Sequence, residues 1–205
     1  MGWDPLTPAA LAELLEHSPV RWWLSGGAAL DQWLGEPIRS RRNVDVSVVR
    51  SDIDEFVSSL PDGLEVYAMR DEALVPFAEV TPEDDVQPVC VWDPARCVWV
   101  LRVNVEDGTP KVWVYKRDPR LTLPWARAVL DIGGIPTGAP EVQLVWKALR
   151  PRPEDEEDMR AVVAKLSVEA RTWYERAILS IHPHSTWSIH VRSPFAPAKA
   201  SWNKK

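Results

Sequence analysis

The chain has 205 residues, long enough for one medium α/β domain with a small appendage and its own buried core, so neither disulfides nor structural metals are needed for folding. Thirty acidic against 24 basic residues give a net charge of −6, which argues against a nucleic-acid partner, since that recognition rests on phosphate neutralisation by basic side chains. No apolar run approaches the ~20 residues that span a bilayer, and the opening Gly2-Trp3-Asp4 has neither the basic nor the apolar part of a signal peptide, so the expected setting is cytoplasmic and away from membranes.

Residues 7–16 place Leu11, Leu14 and Leu15 at helical spacing behind a Thr-Pro start, and Pro19 ends that helix. A short β-type run over 20–24 leads through Ser25-Gly26-Gly27 into a second helix over 28–35. Residues 44–49 alternate valine with Asp45 and Ser47, the pattern of a strand with one buried and one polar face. Ser51 and Asp52 are positioned to cap a helix through about residue 60, and Pro61-Asp62-Gly63 makes a turn. Strands follow at about 64–68, 89–92, 98–106 and 112–116, the last two joined by a turn over 106–110, so the sheet is mixed.

From Ala139 the character becomes helical. Pro140 suits a first helical position, with Val142, Val145, Trp146 and Leu149 as the apolar stripe. The link 150–153 leads to the acidic start Glu154-Asp155-Glu156-Glu157-Asp158 of a helix running through 166, and another covers 168–181. The expected organisation is an α/β (α+β) domain over 1–138, a helical part over 139–193 packed on it, and a flexible tail over 194–205.

Cys90 and Cys97 have no metal-binding spacing and are expected to be buried thiols in a reducing compartment. His182, His184 and His190 have no cysteine or carboxylate near them in sequence, which favours capping or packing over metal binding. Most of the twelve tryptophans sit in apolar stretches and suit a core, while some are available to stack on a planar or apolar ligand.

The strongest local signal combines Ser25-Gly26-Gly27 before a helix, Arg39 after it, and Asn43-Val44-Asp45-Val46 on the next strand. A glycine pair at a strand-to-helix corner lets backbone N–H groups approach an anion, and residues two apart on a strand share a face. The stretch Trp22-Trp23-Leu24-Ser25-Gly26-Gly27-Ala28-Ala29-Leu30-Asp31-Gln32-Trp33-Leu34-Gly35 closely resembles the start of aminoglycoside and lincosamide nucleotidyltransferases. Tyr115-Lys116-Arg117-Asp118-Pro119-Arg120, Gly134-Ile135-Pro136, Ala139-Pro140-Glu141-Val142-Gln143-Leu144 and Lys147 are similar to later parts of the same family. The resemblance implies a nucleotidyltransferase-like mixed sheet flanked by helices, Mg2+ and ATP as cofactors, and transfer of an AMP-type group to a hydroxyl of a small molecule.

Carried onto this chain, the resemblance assigns Asp45, Asn43 and Glu106 to the metal, Asp45 and Glu106 to catalysis, and Ser25, Gly26, Gly27, Arg39 and Lys147 to the nucleotide phosphates. Two departures stand out. The family's first metal-binding aspartate falls at Asn43, which removes a full negative charge, and its histidine falls at Arg41. On strand 98–106, Arg102, Asn104 and Glu106 share one face, which makes Glu106 the candidate third carboxylate. The expected function is therefore an impaired nucleotidyl transfer. The alternative is a repurposed fold that binds or converts an apolar metabolite without metal or nucleotide, in a pocket drawn from Trp23, Trp33, Trp99, Trp113 and Arg41.

Overall fold

The computed structural model describes residues 2–81 and 87–192; the expected flexible tail over 194–205 lies outside the described residues. The chain divides into two compact units, Met1–Gly138 and Ala139–Lys205.

The first unit carries strands β1 (Gly2–Trp3), β2 (Trp22–Ser25), β3 (Asp45–Val49), β4 (Glu65–Arg70), β5 (Ala73–Pro76), β6 (Val89–Asp93), β7 (Val98–Gly108), β8 (Val112–Val114), β9 (Thr122–Pro124), β10 (Val129–Ile132) and β11 (Ile135–Gly138). Its helices are α1 (Pro8–Leu14), α2 (Gly26–Leu34), α3 (Ile53–Ser58) and the single turn α4 (Trp125–Ala128). The sheet runs β10-β11-β2-β3-β7-β6-β4-β5, with β1 and β8 also pairing with β7 and β9 pairing with β8. It is mixed: β3 runs parallel to β7 and β11 parallel to β2, while β2–β3, β6–β7 and β4–β6 are antiparallel.

Period-two alternation divides the sheet's two faces. Leu24, Val46, Val48, Val89, Val91, Leu101, Val103 and Val105 join Leu11, Ala29, Ile53 and Phe56 in one buried cluster, so α1, α2 and α3 cover that face. Helix α1 starts where the Thr7 hydroxyl accepts from Ala10 N–H at 3.1 Å, with Pro8 inside the first turn. The opposite face carries the polar members of the same strands, and a bulge between β6 and β7 brings Trp99 opposite Trp92 on it.

Several expected boundaries move for local reasons. Helix α2 begins at Gly26, not residue 28, because Gly26 takes φ +63 and turns the chain directly out of β2. Strand β7 continues through the expected turn to Gly108, where Trp125 packs so closely that a Cβ would lie 2.6 Å from its ring. Strand β8 stops at Val114, short of the expected 116. A 3-10 turn over Arg50–Asp52 precedes α3, and the Ser51 hydroxyl donates to Asp52, so neither side chain caps that helix. Cys90 is buried as expected, but Cys97 is exposed: it lies in the β6–β7 turn at φ +53, with its thiol on the Pro94 carbonyl. The Asp131-to-Gly134 contact, with Gly133 and Gly134 both at positive φ, closes the β10–β11 hairpin.

The second unit is helical: α5 (Pro140–Ala148), α6 (Pro153–Val163), α7 (Val168–Ile181) and α8 (Thr186–Arg192). Helix α6 is fixed at its start by Asp155, which accepts from the Arg152 backbone N–H at 3.0 Å. Ser167 caps α7, and His182 is buried at its C-terminal end with its N–H on the Ile178 carbonyl. Among the described residues no helix is long and apolar enough to cross a membrane.

Candidate functional site

Five strands set one row of side chains across the polar face of the first unit. By register, Tyr67 faces Cys90, Cys90 faces Arg102, Arg102 faces Asp45, and Asp45 faces Ser25. Ser25 is the last residue of β2, so the row ends at the glycine corner. A Cβ on Gly26 would lie 2.6 Å from Asp45 Oδ2, so the sheet brings the corner and the acid into direct apposition. Only glycine combines that approach with a positive φ.

The charges of this row are already paired. Arg102 donates through Nε to Asp45 Oδ1 and through Nη2 to Asp45 Oδ2 at 2.9 Å, a bidentate guanidinium–carboxylate pair. Asn43 directs its amide N–H onto Asp45 Oδ1 at 2.8 Å. The Asp45 side chain is 8% exposed and that of Arg102 36%. Asn104 donates to the Ser25 hydroxyl at 3.3 Å. Burial pushes the Cys90 thiol up; the neighbouring Arg102 pulls it down and Asp45 pushes it up.

Arg41 occupies the other side of the corner. A Cβ on Gly27 would lie 2.6 to 2.9 Å from its guanidinium atoms, and Asp31, further along α2, holds that guanidinium at 2.6 and 2.8 Å. The position where the resemblance implies a histidine thus carries a cation lying across the first turn of α2. Arg39 is half-buried in the same connection.

Glu106 lies opposite Val49, four residues beyond the Asp45–Arg102 pair, or about 13 Å of strand. It is buried: Ser47 donates its hydroxyl to Oε1 at 2.6 Å, and the Trp113 indole N–H donates to Oε2. Burial pushes the adjacent Tyr115 phenol up to about 12, against Arg117 and with a further rise from Glu106.

These groups do not fit a divalent cation. Mg2+ requires several oxygen ligands converging with open lone pairs. Here both Asp45 oxygens face a guanidinium, Asn43 presents donors, and Glu106 is engaged elsewhere on the face. Among the described residues no group of three or more His, Cys, Asp or Glu is arranged to hold a metal.

The tryptophan candidates separate. Trp23 is buried against Trp125, which also carries Arg21 at 4.4 Å over its ring. Trp113 is buried on Glu106, and Trp33 is half-buried on α2. Trp99 stands on the polar face at the centre of an aromatic group, with ring centroids 4.9 Å from Trp92, 5.6 Å from Tyr67 and 6.2 Å from Trp3.

Lys147 belongs to the second unit. Its ammonium lies 2.7 Å from Asp155 and 3.0 Å from Asp158, both carboxylates being buried. Burial pushes the Asp155 carboxyl up, but hydrogen bonds from Arg152 and Lys147 outweigh it and hold the group well below the usual carboxylate range.

The role of Arg102 and the aromatic partners of Trp99 are absent from the sequence-derived candidates. Alternation already places Arg102 on the face of Asn104 and Glu106; the missing information was that β7 pairs with β3 in the register that sets Arg102 opposite Asp45. Trp3 and Tyr67 arrive from β1 and β4, whose pairing no local motif announces.

With this geometry in view, the class of protein follows. The family model for aminoglycoside-2''-adenylyltransferase matches residues 9–83, the stretch carrying the glycine corner, Arg41, Asn43 and Asp45. The lincosamide antibiotic adenylyltransferase LnuA, solved with lincomycin bound, is similar in structure at 15% identity and TM-score 0.53, covering 78% of this chain and 96% of its own. ANT(2'')-Ia, solved in complex with adenylyl-2''-tobramycin, is similar at 13% identity and TM-score 0.50, covering 83% of this chain and 92% of its own. No curated protein matches the chain. The fold is thus nucleotidyltransferase-like, a mixed sheet flanked by helices, resembling antibiotic-modifying nucleotidyltransferases.

Proposed function

We propose that this chain uses the nucleotidyltransferase-like face to bind a small molecule without metal or nucleotide. The observation that carries this reading is the Arg102 guanidinium on both oxygens of Asp45, at the glycine corner. In that arrangement a carboxylate that would attract a divalent cation is already neutralised, and the cationic partner is covalently part of the protein. With Asn43 in place of a second acid, the strip carries one negative and one positive charge in direct contact, and beside them lie amides, hydroxyls and the Cys90 thiol. Half-buried aromatic rings beside it supply the apolar surface that small-molecule sites use. The reading takes the protein as cytoplasmic, where an exposed free thiol such as Cys97 stays reduced.

A second reading, transfer of an AMP-type group from ATP to a hydroxyl of a small molecule with Mg2+, is favoured by one observation: the adenylyltransferase family match spans the corner and Asp45. It requires Arg102 to leave Asp45. Calorimetry with Mg2+ and a non-hydrolysable ATP analogue separates the two. The wild-type chain and the Asn43→Asp variant are expected to give no saturable heat, because Arg102 remains on Asp45 in both. Saturable Mg2+-dependent binding of the analogue by the wild type, with an AMP adduct of an aminoglycoside or lincosamide in mass spectra and release of pyrophosphate after a separate incubation with ATP and Mg2+, would establish the second reading and remove the first.

A further inference from the structure

We infer that the ligand face is built for a planar aromatic anion, with Arg102 receiving the carboxylate and the Trp99 group receiving the ring. The inference rests on the metal-free small-molecule reading above and assigns it a ligand class.

Arg102 is used on one side alone. Its Nε and Nη2 hold Asp45, while Nη1 makes no hydrogen bond or ion pair among the described residues and the side chain is 36% exposed. A guanidinium carries five N–H donors in a rigid plane, so the edge turned away from Asp45 still offers a fork to an incoming anion. Asp45 cannot compete for that edge, since both its oxygens are already bonded to the other one.

The aromatic residues lie on the same face within reach. Cys90 stands opposite Arg102, Tyr67 opposite Cys90, and Trp92 two residues along β6 faces Trp99. Neighbouring strands are about 4.8 Å apart and alternate residues about 6.7 Å apart, so the ring group begins roughly 7 to 10 Å from Arg102. That span suits an arylacetate or arylpropionate, with its ring on the indoles and its carboxylate on the guanidinium. Trp3 is 37% exposed and Trp92 and Trp99 are half-buried, which leaves ring surface for stacking. Glu65 is an exposed acid that accepts the Tyr67 hydroxyl at 2.7 Å; it makes the amine arm of the test informative.

The test compares indole-3-acetate, indole-3-acetamide and tryptamine, which share one ring and differ in charge. Titrations by calorimetry are followed in parallel by indole N–H resonances. Indole-3-acetate is expected to bind at least about tenfold more tightly than the amide, the difference a charge-assisted hydrogen bond makes over a neutral one, with tryptamine weakest. Trp99→Leu should weaken the acetate and the amide alike. Arg102→Gln alone strands a buried Asp45, so the informative variant is Asp45→Asn/Arg102→Gln, which keeps an uncharged hydrogen-bonded pair and should abolish the preference for the acetate while retaining ring binding.

Equal binding of acetate and amide, tightest binding by tryptamine, or no binding by any of the three up to about 10 mM would each overturn the inference. The broader reading fails separately, through the Mg2+ and ATP-analogue titration, so the two failures are distinguishable.

Discussion

Replacing Lys147 by methionine tests what that ammonium is for. In the second unit it sits 2.7 Å from Asp155 and 3.0 Å from Asp158, with side-chain exposures of 12%, 3% and 0%. Methionine preserves most of the volume and removes the charge, leaving two buried carboxylates beside each other. Removing one partner of a buried ion pair costs about 3–5 kcal/mol. Arg152 still donates to both Asp155 oxygens at 2.9 and 3.0 Å, so the loss here should fall near the lower end, about 3 kcal/mol. For a protein of this size that is a melting temperature about 6–12 °C lower.

The pH dependence makes the assignment specific. In the wild type the folded Asp155 carboxyl is held below its unfolded value, so its stabilisation is present above about pH 4 and is lost as pH falls further. In Lys147→Met the crowded carboxylates bind protons more readily in the folded state than in the unfolded one. Acidification from pH 7 to 5 should then narrow the gap between variant and wild type. Thermal melts by circular dichroism across that range, with Lys147→Met/Asp158→Asn as the rescuing double variant, read the effect. A variant within about 2 °C of wild type at pH 7, or a gap that widens on acidification, would show that Lys147 is not a structural cation and would return it to the phosphate-binding role implied by resemblance.

Three further outcomes follow from the first unit. Gly26→Ala puts a side chain at φ +63 and 2.6 Å from an Asp45 oxygen that Arg102 holds in place, so it should lower stability by at least about 2 kcal/mol in denaturant melts; a neutral effect would mean the corner is looser than described. Trp113→Phe removes the donor to Glu106 Oε2 and should cost about 1–3 kcal/mol, and a Trp113→Phe/Glu106→Gln double variant that is no better than the single would contradict the assigned hydrogen bond. All three tyrosines are shifted up: Tyr174 by burial, Tyr115 to about 12 by burial, and Tyr67 by its hydrogen bond to Glu65. Stability from the two buried phenols is present below about pH 10 and is lost as pH rises through their folded values, so phenolate absorbance of the folded chain should stay low at about pH 10.5 and appear on unfolding.

Much of this architecture was legible from local pattern because the core strands obey strict alternation. Val44, Val46 and Val48 go to one face and Asp45 and Ser47 to the other, and the helices beginning near Thr7 and at Val168 announce themselves by capping hydroxyls. The glycine corner was legible too, because a glycine pair between a β run and an amphipathic run has few other uses. What escaped was pairing between distant strands. That Arg102 meets Asp45, and that Trp3, Tyr67 and Trp92 meet at Trp99, depends on which of eleven strands are neighbours and on a one-residue bulge. Neither leaves a trace within a short window. Cys97 was expected to be buried like Cys90, but it falls between two strands in a tight turn at positive φ that holds its side chain outside.

The Arg102–Asp45 pair also constrains how this sequence can change. An acid at position 43 alone sets a second carboxylate directly beside that of Asp45, and loss of Arg102 alone leaves a largely buried carboxylate without its cation. Each single substitution toward a two-acid strand is therefore disfavoured by itself, and the two must change together. Random single-site libraries should therefore not yield Mg2+ binding at this strand, whereas paired substitution at positions 43 and 102 offers a route to it.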